Sequence, residues 1–351
     1  MTLCHALDTL GPLQKGTRVT AQHLELDGIE TLARDALVRA GASAAQAAPV
    51  ARSTRLAERD GIRSHGLMYV PVYAEHLRCG KVLGDAEPQV SRPRPGAVRV
   101  DAAHGFAHAA IDAGWPALTS AAREQGIAAM SVHRSYNCGV LGHHAERLAC
   151  DGLVGLCFTN APASMAPTGG HRPVIGTNPF ALAVPDGAGG ARLVIDQSAS
   201  AIAKSEIVLR ARQGAPIEPG WALDAEGRPT EDAEAALAGS MRPAGGQKGF
   251  GAGLMVEIFA AALSGGNLGL DASPFSGPRG GPPGTGQFFI AVDPGAFSGD
   301  AFGPAMDRLT QSITEQEGAR LPGARRAENR ARIEAGGVAV PQELLDRIAA
   351  A

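Results

Sequence analysis

The chain has 351 residues, and 44% are hydrophobic, enough for a sizeable core and too many for global disorder. Its 32 Lys and Arg against 35 Asp and Glu leave a net charge of −3, so no basic excess serves a phosphate backbone or an anionic membrane. An aromatic content of 4% argues against a base-stacking surface. The cysteines, Cys4, Cys79, Cys138, Cys150 and Cys157, are odd in number and include no Cys-x-x-Cys, which disfavours a disulfide framework and a four-thiolate zinc site. Asp8 and Lys15 interrupt any signal-peptide core, and no apolar run approaches the roughly 18 residues of a membrane span. The expectation is a soluble, cytoplasmic protein with no nucleic-acid or membrane partner.

Residues 26–40 put Ile29, Leu32, Ala36 and Leu37 on one helical face. Gly41 can stop that helix, and Ser43 can cap a second one running to about Arg59, with Pro49 as a delay or kink. A third apolar-periodic stretch, roughly Leu67 to Cys79, ends at Gly80, so the N-terminal part reads as a helical layer. Arg92-Pro-Arg-Pro95 is turn or edge sequence, Val98-Arg-Val100 a short strand, and Ala107 to Glu124 an alanine-rich helix that Pro116 can kink. The apolar runs 127–132 and 153–158 look like buried strands around a helix from Leu141 to Cys150. Strands follow at Phe180–Val184 and Arg192–Asp196, then helices over Ser200–Arg212 and Leu254–Leu263, and a strand over Gln287–Asp293. Residues 265–286 hold eight Gly and four Pro, which makes them a long loop, ordered or flexible. From about Ala301 the pattern is helical again, and Pro341 starts a last short helix. A β-rich middle between helical ends predicts an α+β fold in which residues 1–80 plus 300–351 form a helical domain and 81–299 a β-rich region.

The ordinary dinucleotide and P-loop glycine fingerprints are both missing. Glycines surround Lys248 in the run 245–253, just before an apolar helix; such a segment can cradle an anion, or serve as a connector with a solvated lysine. Ser64-His65-Gly66 places a histidine on a turn, as a proton carrier or as a structural residue behind a capping serine. Gly176-Thr-Asn-Pro179 offers polar turn atoms to a ligand or makes an Asx-type turn. Asp196 ends a strand, where a carboxylate can orient a histidine or cap the next helix. His104 and His108 have i, i+4 spacing without the glutamate of a zinc-protease motif, so no metal is expected, and the adjacent His143 and His144 read as surface residues.

Ten stretches in one register resemble the malate/L-lactate dehydrogenase family that is unrelated to the Rossmann-type lactate dehydrogenases. They are Ser64-His-Gly66, Val100-Asp-Ala-Ala-His-Gly105, Ser135-Tyr-Asn-Cys-Gly139, Thr159-Asn-Ala161, Ala166-Pro-Thr-Gly-Gly170, Gly176-Thr-Asn-Pro179, Asp196, Gly220-Trp-Ala-Leu-Asp224, Gly245-Gly-Gln-Lys-Gly249 and Leu321-Pro-Gly-Ala-Arg-Arg326. That family includes ureidoglycolate, sulfolactate and diketogulonate oxidoreductases and the piperideine- and pyrroline-2-carboxylate (ketimine) reductases. The resemblance implies a non-Rossmann NAD(P)-binding domain with a mostly antiparallel sheet, a separate helical domain, and a homodimer. It implies His65 as proton donor, with Ser64 and Asp196 as its relay. It assigns NAD(P)H, without a choice between NAD and NADP, to Asn137, Cys138, Gly139, Val140, Leu141, Thr177, Asn178, Ala181, Leu182, Gln247, Lys248, Arg325 and Arg326. Tyr69 and Ala163 fall to the substrate.

Two positions depart from that pattern. Tyr69 stands where many relatives carry an arginine for the substrate carboxylate, and Asn137 where many carry a histidine. The implied reaction is hydride transfer between nicotinamide and the carbon next to a carboxylate, on a 2-oxo acid/2-hydroxy acid couple of malate, lactate or sulfolactate type. The alternatives are reduction of a cyclic ketimine to pipecolate or proline, and a catalytically silent binding or scaffold protein.

Overall fold

In the computed structural model, which describes residues 21–351, strand β1 (Ala21–Leu24) leads into helices α1 (Leu26–Arg39) and α2 (Ala44–Arg59). Helix α1 buries Ile29, Ala33, Ala36 and Leu37 and ends where Gly41 takes φ +108, a conformation that favours glycine. Ser43 caps α2 by accepting the Gln46 N–H at 3.3 Å, and Pro49 is accommodated inside the helix. The segment carrying His65 is not part of a long helix. Two 3-10 turns, Arg63–His65 and Leu67–Tyr69, precede helix α3 (Val70–Arg78). Cys4 lies outside the described residues, whereas Cys79, Cys138, Cys150 and Cys157 are all free thiols.

The middle of the chain supplies β2 (Gln89–Arg94), β3 (Ala97–Asp101), α4 (Ala107–Gln125), β4 (Ile127–Ser135), α5 (Leu141–Cys150), β5 (Val154–Thr159), β6 (Phe180–Pro185) and β7 (Ala191–Gln197). After helix α6 (Lys204–Gln213), the short strands β8 (Ala222–Leu223) and β9 (Pro229–Thr230), helix α7 (Ala233–Ala238) and strand β10 (Ser240–Met241) build a small sheet ordered β10-β8-β9. Helix α8 (Gln247–Glu257) continues as a π-helix, Ile258–Leu263, and β11 (Thr285–Val292) returns to the main sheet. Helices α9 (Pro294–Ser298), α10 (Phe302–Thr314) and α11 (Ala324–Gly336), strand β12 (Val338–Pro341) and helix α12 (Gln342–Ala350) complete the chain.

The main sheet has seven strands in the order β2-β3-β4-β11-β5-β6-β7, and only β3 and β4 run parallel. This is the mostly antiparallel α+β arrangement expected. One face is covered by α4 and α5, whose Ile111, Trp115, Leu118, Leu141 and Leu148 pack on Val98, Val100, Met130, Val132, Ala183 and Phe289. The other face carries Phe158, Phe180 and Phe288 under Val256, Phe259 and Ala260 of the α8–π-helix unit. Alternation along each strand thus feeds two opposite layers. The Arg92–Pro95 segment lies mostly within β2, an edge strand exposed throughout, where proline costs no ladder bond.

A separate core joins the two ends of the chain. Ile29, Ala33, Ala36, Leu67 and Val70 pack with Ile333, Val338, Val340 and Ile348, and β1 pairs antiparallel with β12 from Ala21↔Pro341 to Leu24↔Val338. The C-terminal contribution starts with α11, not at residue 300: α10 instead reaches the β-rich part through an Arg192–Asp307 ion pair. Two helix starts also differ from expectation. The helix expected from Ser200 begins at Lys204, and the one expected from Leu254 begins at Gln247, so most of the glycine run is helical.

Candidate active site

His65 closes the first 3-10 turn, and its position is fixed from beneath by Glu58. The buried Glu58 carboxylate accepts the Leu67 N–H at 2.8 Å, and Gly66 passes over it so closely that a Cβ would overlap its oxygen. The imidazole is half-buried, and its Nδ1 is buried without a hydrogen-bond partner among the described residues. Burial pulls the His65 pKa below the ordinary histidine value; the Asp196 charge raises it and His143 lowers it further.

Asp196 stands near the end of β7 at the N-terminus of α5. Its Oδ2 accepts the Gly142 N–H at 3.0 Å and an Arg326 guanidinium N–H at 2.6 Å. This approach requires glycine at 142, because a Cβ there would sit 2.6 Å from Asp196 Oδ2 and 2.9 Å from Asp196 Cβ. The helix N-terminus and the guanidinium both attract the negative charge of this carboxylate. The hydrogen-bonded Ser64–His65–Asp196 relay is not formed here: Ser64 is exposed and its hydroxyl makes no hydrogen bond among the described residues, and Asp196 acts on His65 through its charge. Hydrogen bonds of this type tighten when a ligand fills the site.

The loop after β4 mostly turns its side chains inward. Cys138, Val140 and Leu141 are buried, and burial pushes the Cys138 thiol up to about 12. What the loop can present is backbone and Asn137, whose Oδ1 accepts the Gly139 N–H at 2.7 Å. Gly139, at φ +72, lies close against Ser53 and His108. Behind the loop, His144 Nε2 donates to the Cys138 carbonyl at 2.9 Å. His143 is buried and bonded to Asp60 at 3.0 Å, so neither histidine is a surface residue. Asp60, wholly buried, also pairs with Arg59 and Arg330, joining α2, α5 and α11.

Among the other expected cofactor residues, Thr177 is half-buried, but Asn178 turns fully inward at φ +41. Its amide donates to Gly253 O at 2.9 Å and Glu257 Oε2 at 2.7 Å, and its Oδ1 accepts the Ala161 N–H at 3.3 Å. The Asn178 side chain is therefore a bracket for its turn and not a free ligand contact. Ala181 is buried opposite Asp196 in the β6–β7 pair, and Leu182 is half-buried. Gln247 and Lys248 are exposed in the first turn of α8, preceded by Gly245 and Gly246 at φ +66 and +64. Arg325 is exposed, while Arg326 is spent on Asp196 through one nitrogen and keeps a buried, unpartnered Nη1.

At the other side of His65, the Tyr69 ring lies 6.3 Å away and its hydroxyl donates to Phe275 O at 3.3 Å. Ala163 N–H donates to Gly269 O at 2.8 Å. His104, at φ +63, stands in the turn before α4 while His108 is buried inside it, so the i, i+4 spacing does not place them on one helix face. Among the described residues no group of three potential ligands could hold a metal ion. Glu58, Gly142 and Asp60 were not singled out from sequence, since nothing in their local spacing marks burial or a partner far along the chain. The orphaned Arg326 donor and exposed Lys248 in the first turn of α8 fit an anionic dinucleotide.

Comparison with known proteins gives a consistent picture. The family model described as malate/L-lactate dehydrogenase matches residues 24–349. A (2R)-3-sulfolactate dehydrogenase (NADP(+)) of Chromohalobacter salexigens is 45% identical over 93% of this chain and 97% of its own. A Delta(1)-pyrroline-2-carboxylate reductase of Ancylobacter novellus is 40% identical over 93% of this chain and 96% of its own. The crystal structure of delta1-piperideine-2-carboxylate reductase from Pseudomonas syringae superposes with a TM-score of 0.88 at 34% identity, covering 93% of this chain and 98% of that one.

Proposed function

The chain belongs to the malate/L-lactate dehydrogenase family, and from that premise we propose an NADP-linked oxidoreductase acting on a 2-oxo acid/2-hydroxy acid couple. The observation that carries the reading is His65: a half-buried imidazole with an unpartnered ring nitrogen, in the field of the Asp196 carboxylate. The preference for NADP rests on the sulfolactate dehydrogenase relative, whose name specifies NADP(+).

When bound, the dinucleotide supplies or accepts the hydride at nicotinamide C4. His65 gives a proton to the substrate heteroatom during reduction. Its lowered pKa makes the imidazolium a stronger acid, and Asp196 offsets part of the cost of charging it. Arg326 and the Gly142 N–H fix Asp196. Lys248, Gln247 and Arg325 hold the anionic part of the dinucleotide; the Asn137–Leu141 backbone, Thr177, Ala181 and Leu182 line its remainder. Ala163 borders the substrate, and Tyr69 stands beside His65 at the edge of that pocket.

Two observations favour cyclic ketimine reduction as a second reading. Tyr69 offers no cation to a second acidic group, which suits a monocarboxylate. A basic imine can also arrive already protonated, and the lowered pKa of His65 then reduces like-charge repulsion. The deciding experiment follows NADPH and NADH oxidation with pyruvate, oxaloacetate, sulfopyruvate, piperideine-2-carboxylate and pyrroline-2-carboxylate. Fastest turnover on a 2-oxo acid with NADPH is expected; a ketimine optimum selects the second reading, and dinucleotide binding without any turnover leaves a silent binding protein.

The same reading includes a cytoplasmic homodimer. Exposed Leu254, Met255, Ile258 and Leu263 on the α8–π-helix unit, with Leu268 and Leu270 beyond it, form the apolar face assigned to the second copy. Light scattering of Ile258→Asp checks that assignment. We also divide the chain into a helical domain formed from both ends and a β-rich domain between them.

A further inference from the structure

Residues 268–283 form an ordered Ω-shaped strap. Its base is closed by Asn267, whose N–H donates to Gly284 O and whose side chain donates to Pro283 O, both at 2.8 Å. The first arm is tied to the β-rich side, where Gly269 O accepts from Ala163 N and Gly269 N donates to Glu257 at 2.6 Å. At the tip, four consecutive main-chain carbonyls are taken by three side chains of the helical side. Lys81 donates to Pro274 O at 2.7 Å and Ser276 O at 3.5 Å, Tyr69 to Phe275 O, and His76 Nε2 to Gly277 O at 3.2 Å.

These anchors are built for the purpose. Lys81 is fully buried with only carbonyl oxygens for its ammonium, an expensive arrangement unless the strap is present to solvate it. His76 is also fully buried, bonded through Nδ1 to the Tyr136 hydroxyl. Phe275 packs on Tyr136 with ring centroids 5.3 Å apart, and Tyr69 lies between that cluster and His65.

We propose that the strap is the specificity wall of the substrate site, that Phe275 supplies its apolar surface, and that Tyr69 and Lys81 are positioning residues that hold the strap rather than the substrate. This deepens the oxidoreductase reading and rests on it. Tyr69, at the position of the relatives' arginine, has its hydroxyl engaged by Phe275 O. The carboxylate is then left to other groups, while a ring and an ordered backbone close the pocket around a compact apolar substrate body.

The test uses Tyr69→Phe and Lys81→Met in the full-length protein. Hydrogen exchange of the amides in 270–283 reads strap order without ligand, and titration of pyrrole-2-carboxylate into the NADPH-loaded protein reads the pocket without turnover. Both variants are expected to exchange at least about tenfold faster in the strap. They should bind the planar acid about tenfold more weakly and raise KM for the preferred substrate about tenfold, with NADPH affinity nearly unchanged. Phe275→Ala should leave exchange alone and shift the kcat/KM ratio toward bulkier substrates. A Tyr69→Phe variant with weakened acid binding and unchanged exchange would make Tyr69 a direct substrate contact and overturn the proposal. So would a loosened strap in Lys81→Met with unaltered acid binding. If no substrate turns over, the functional reading fails while exchange and titration still decide the strap.

Discussion

Gly142→Ala is the most demanding check on the Asp196 geometry. The added Cβ would run into Arg326 Nη1 and lie 2.6 Å from Asp196 Oδ2 and 2.9 Å from its Cβ, where ordinary contact begins near about 3.5 Å. The carboxylate must therefore retreat by roughly 0.6–0.9 Å together with the Arg326 guanidinium that holds it, since Gly142 is fixed in the first turn of α5. That displacement weakens the N–H bond to a charged acceptor, typically worth about 1.5–3 kcal/mol, while alanine in a helix returns up to about 1 kcal/mol. Net destabilisation should stay near 0.5–2 kcal/mol, roughly, so the variant folds. Turnover should fall far more, by about 10²-fold, because displacements approaching 1 Å in a catalytic array cost that much. With Asp196 further from His65, its raising influence fades, and the alkaline limb of the pH profile for reduction moves to lower pH. The assay is kcat/KM against pH, with NADPH affinity from fluorescence titration and thermal melting as controls. A folded Gly142→Ala variant with wild-type kcat/KM and an unmoved limb would refute Asp196 as the group that tunes His65.

His65→Ala should lower kcat by about 10²-fold or more with dinucleotide affinity nearly intact, as measured by steady-state kinetics and titration. Lys248→Ala should raise the dinucleotide KM by about 10-fold or more and leave the organic substrate's KM much less changed. Asp60→Asn should destabilise the fold by about 1.5–3 kcal/mol in denaturant melts, because it removes the charge that Arg59, Arg330 and His143 share while Arg330 keeps only Glu146. Burial pushes the Asp60 carboxyl up, but hydrogen bonds from His143, Arg330 and Arg59 pull it further down, well below the usual range. Its stabilisation is therefore fully present above its ordinary value of 3.8 and is lost as pH falls below it, a dependence the Asn variant should lack.

The strands at 127–135, 154–159, 180–185, 191–197 and 285–292 were legible because apolar runs bounded by turns carry their own signal. Their order was not. β11 sits between β4 and β5 although it follows β7 by almost 90 residues, and no local pattern encodes that neighbour. The β1–β12 pair was also invisible, since four-residue strands with one exposed face resemble coil. His65 and Asp196 could be found because family motifs mark them. The Arg326–Asp196 pair could not: the motif marks the arginine as a dinucleotide contact, and only the fold brings a carboxylate 130 positions away against it. His143 was misplaced for a related reason, because its burial depends on Asp60 across three helices. The glycine- and proline-rich segment reads as loop by composition, but its order comes from Lys81, His76 and Tyr69, residues with no reason in sequence to point there.

The core shared by the two ends of the chain sets a timetable for biosynthesis. Leu67 and Val70, which seat the turn bearing His65, pack with Ile333, Val338, Val340 and Ile348, made about 270 residues later. At about 5–20 residues per second, the early helices leave the ribosome with one apolar face uncovered for roughly 15–50 s before those partners exist. The β-rich part has its own late requirement, the insertion of β11 at the centre of its sheet. The histidine is thus synthesised long before the residues that seat it. A nascent chain halted before Ile333 carries every proposed catalytic side chain but lacks the surface that holds His65 in place.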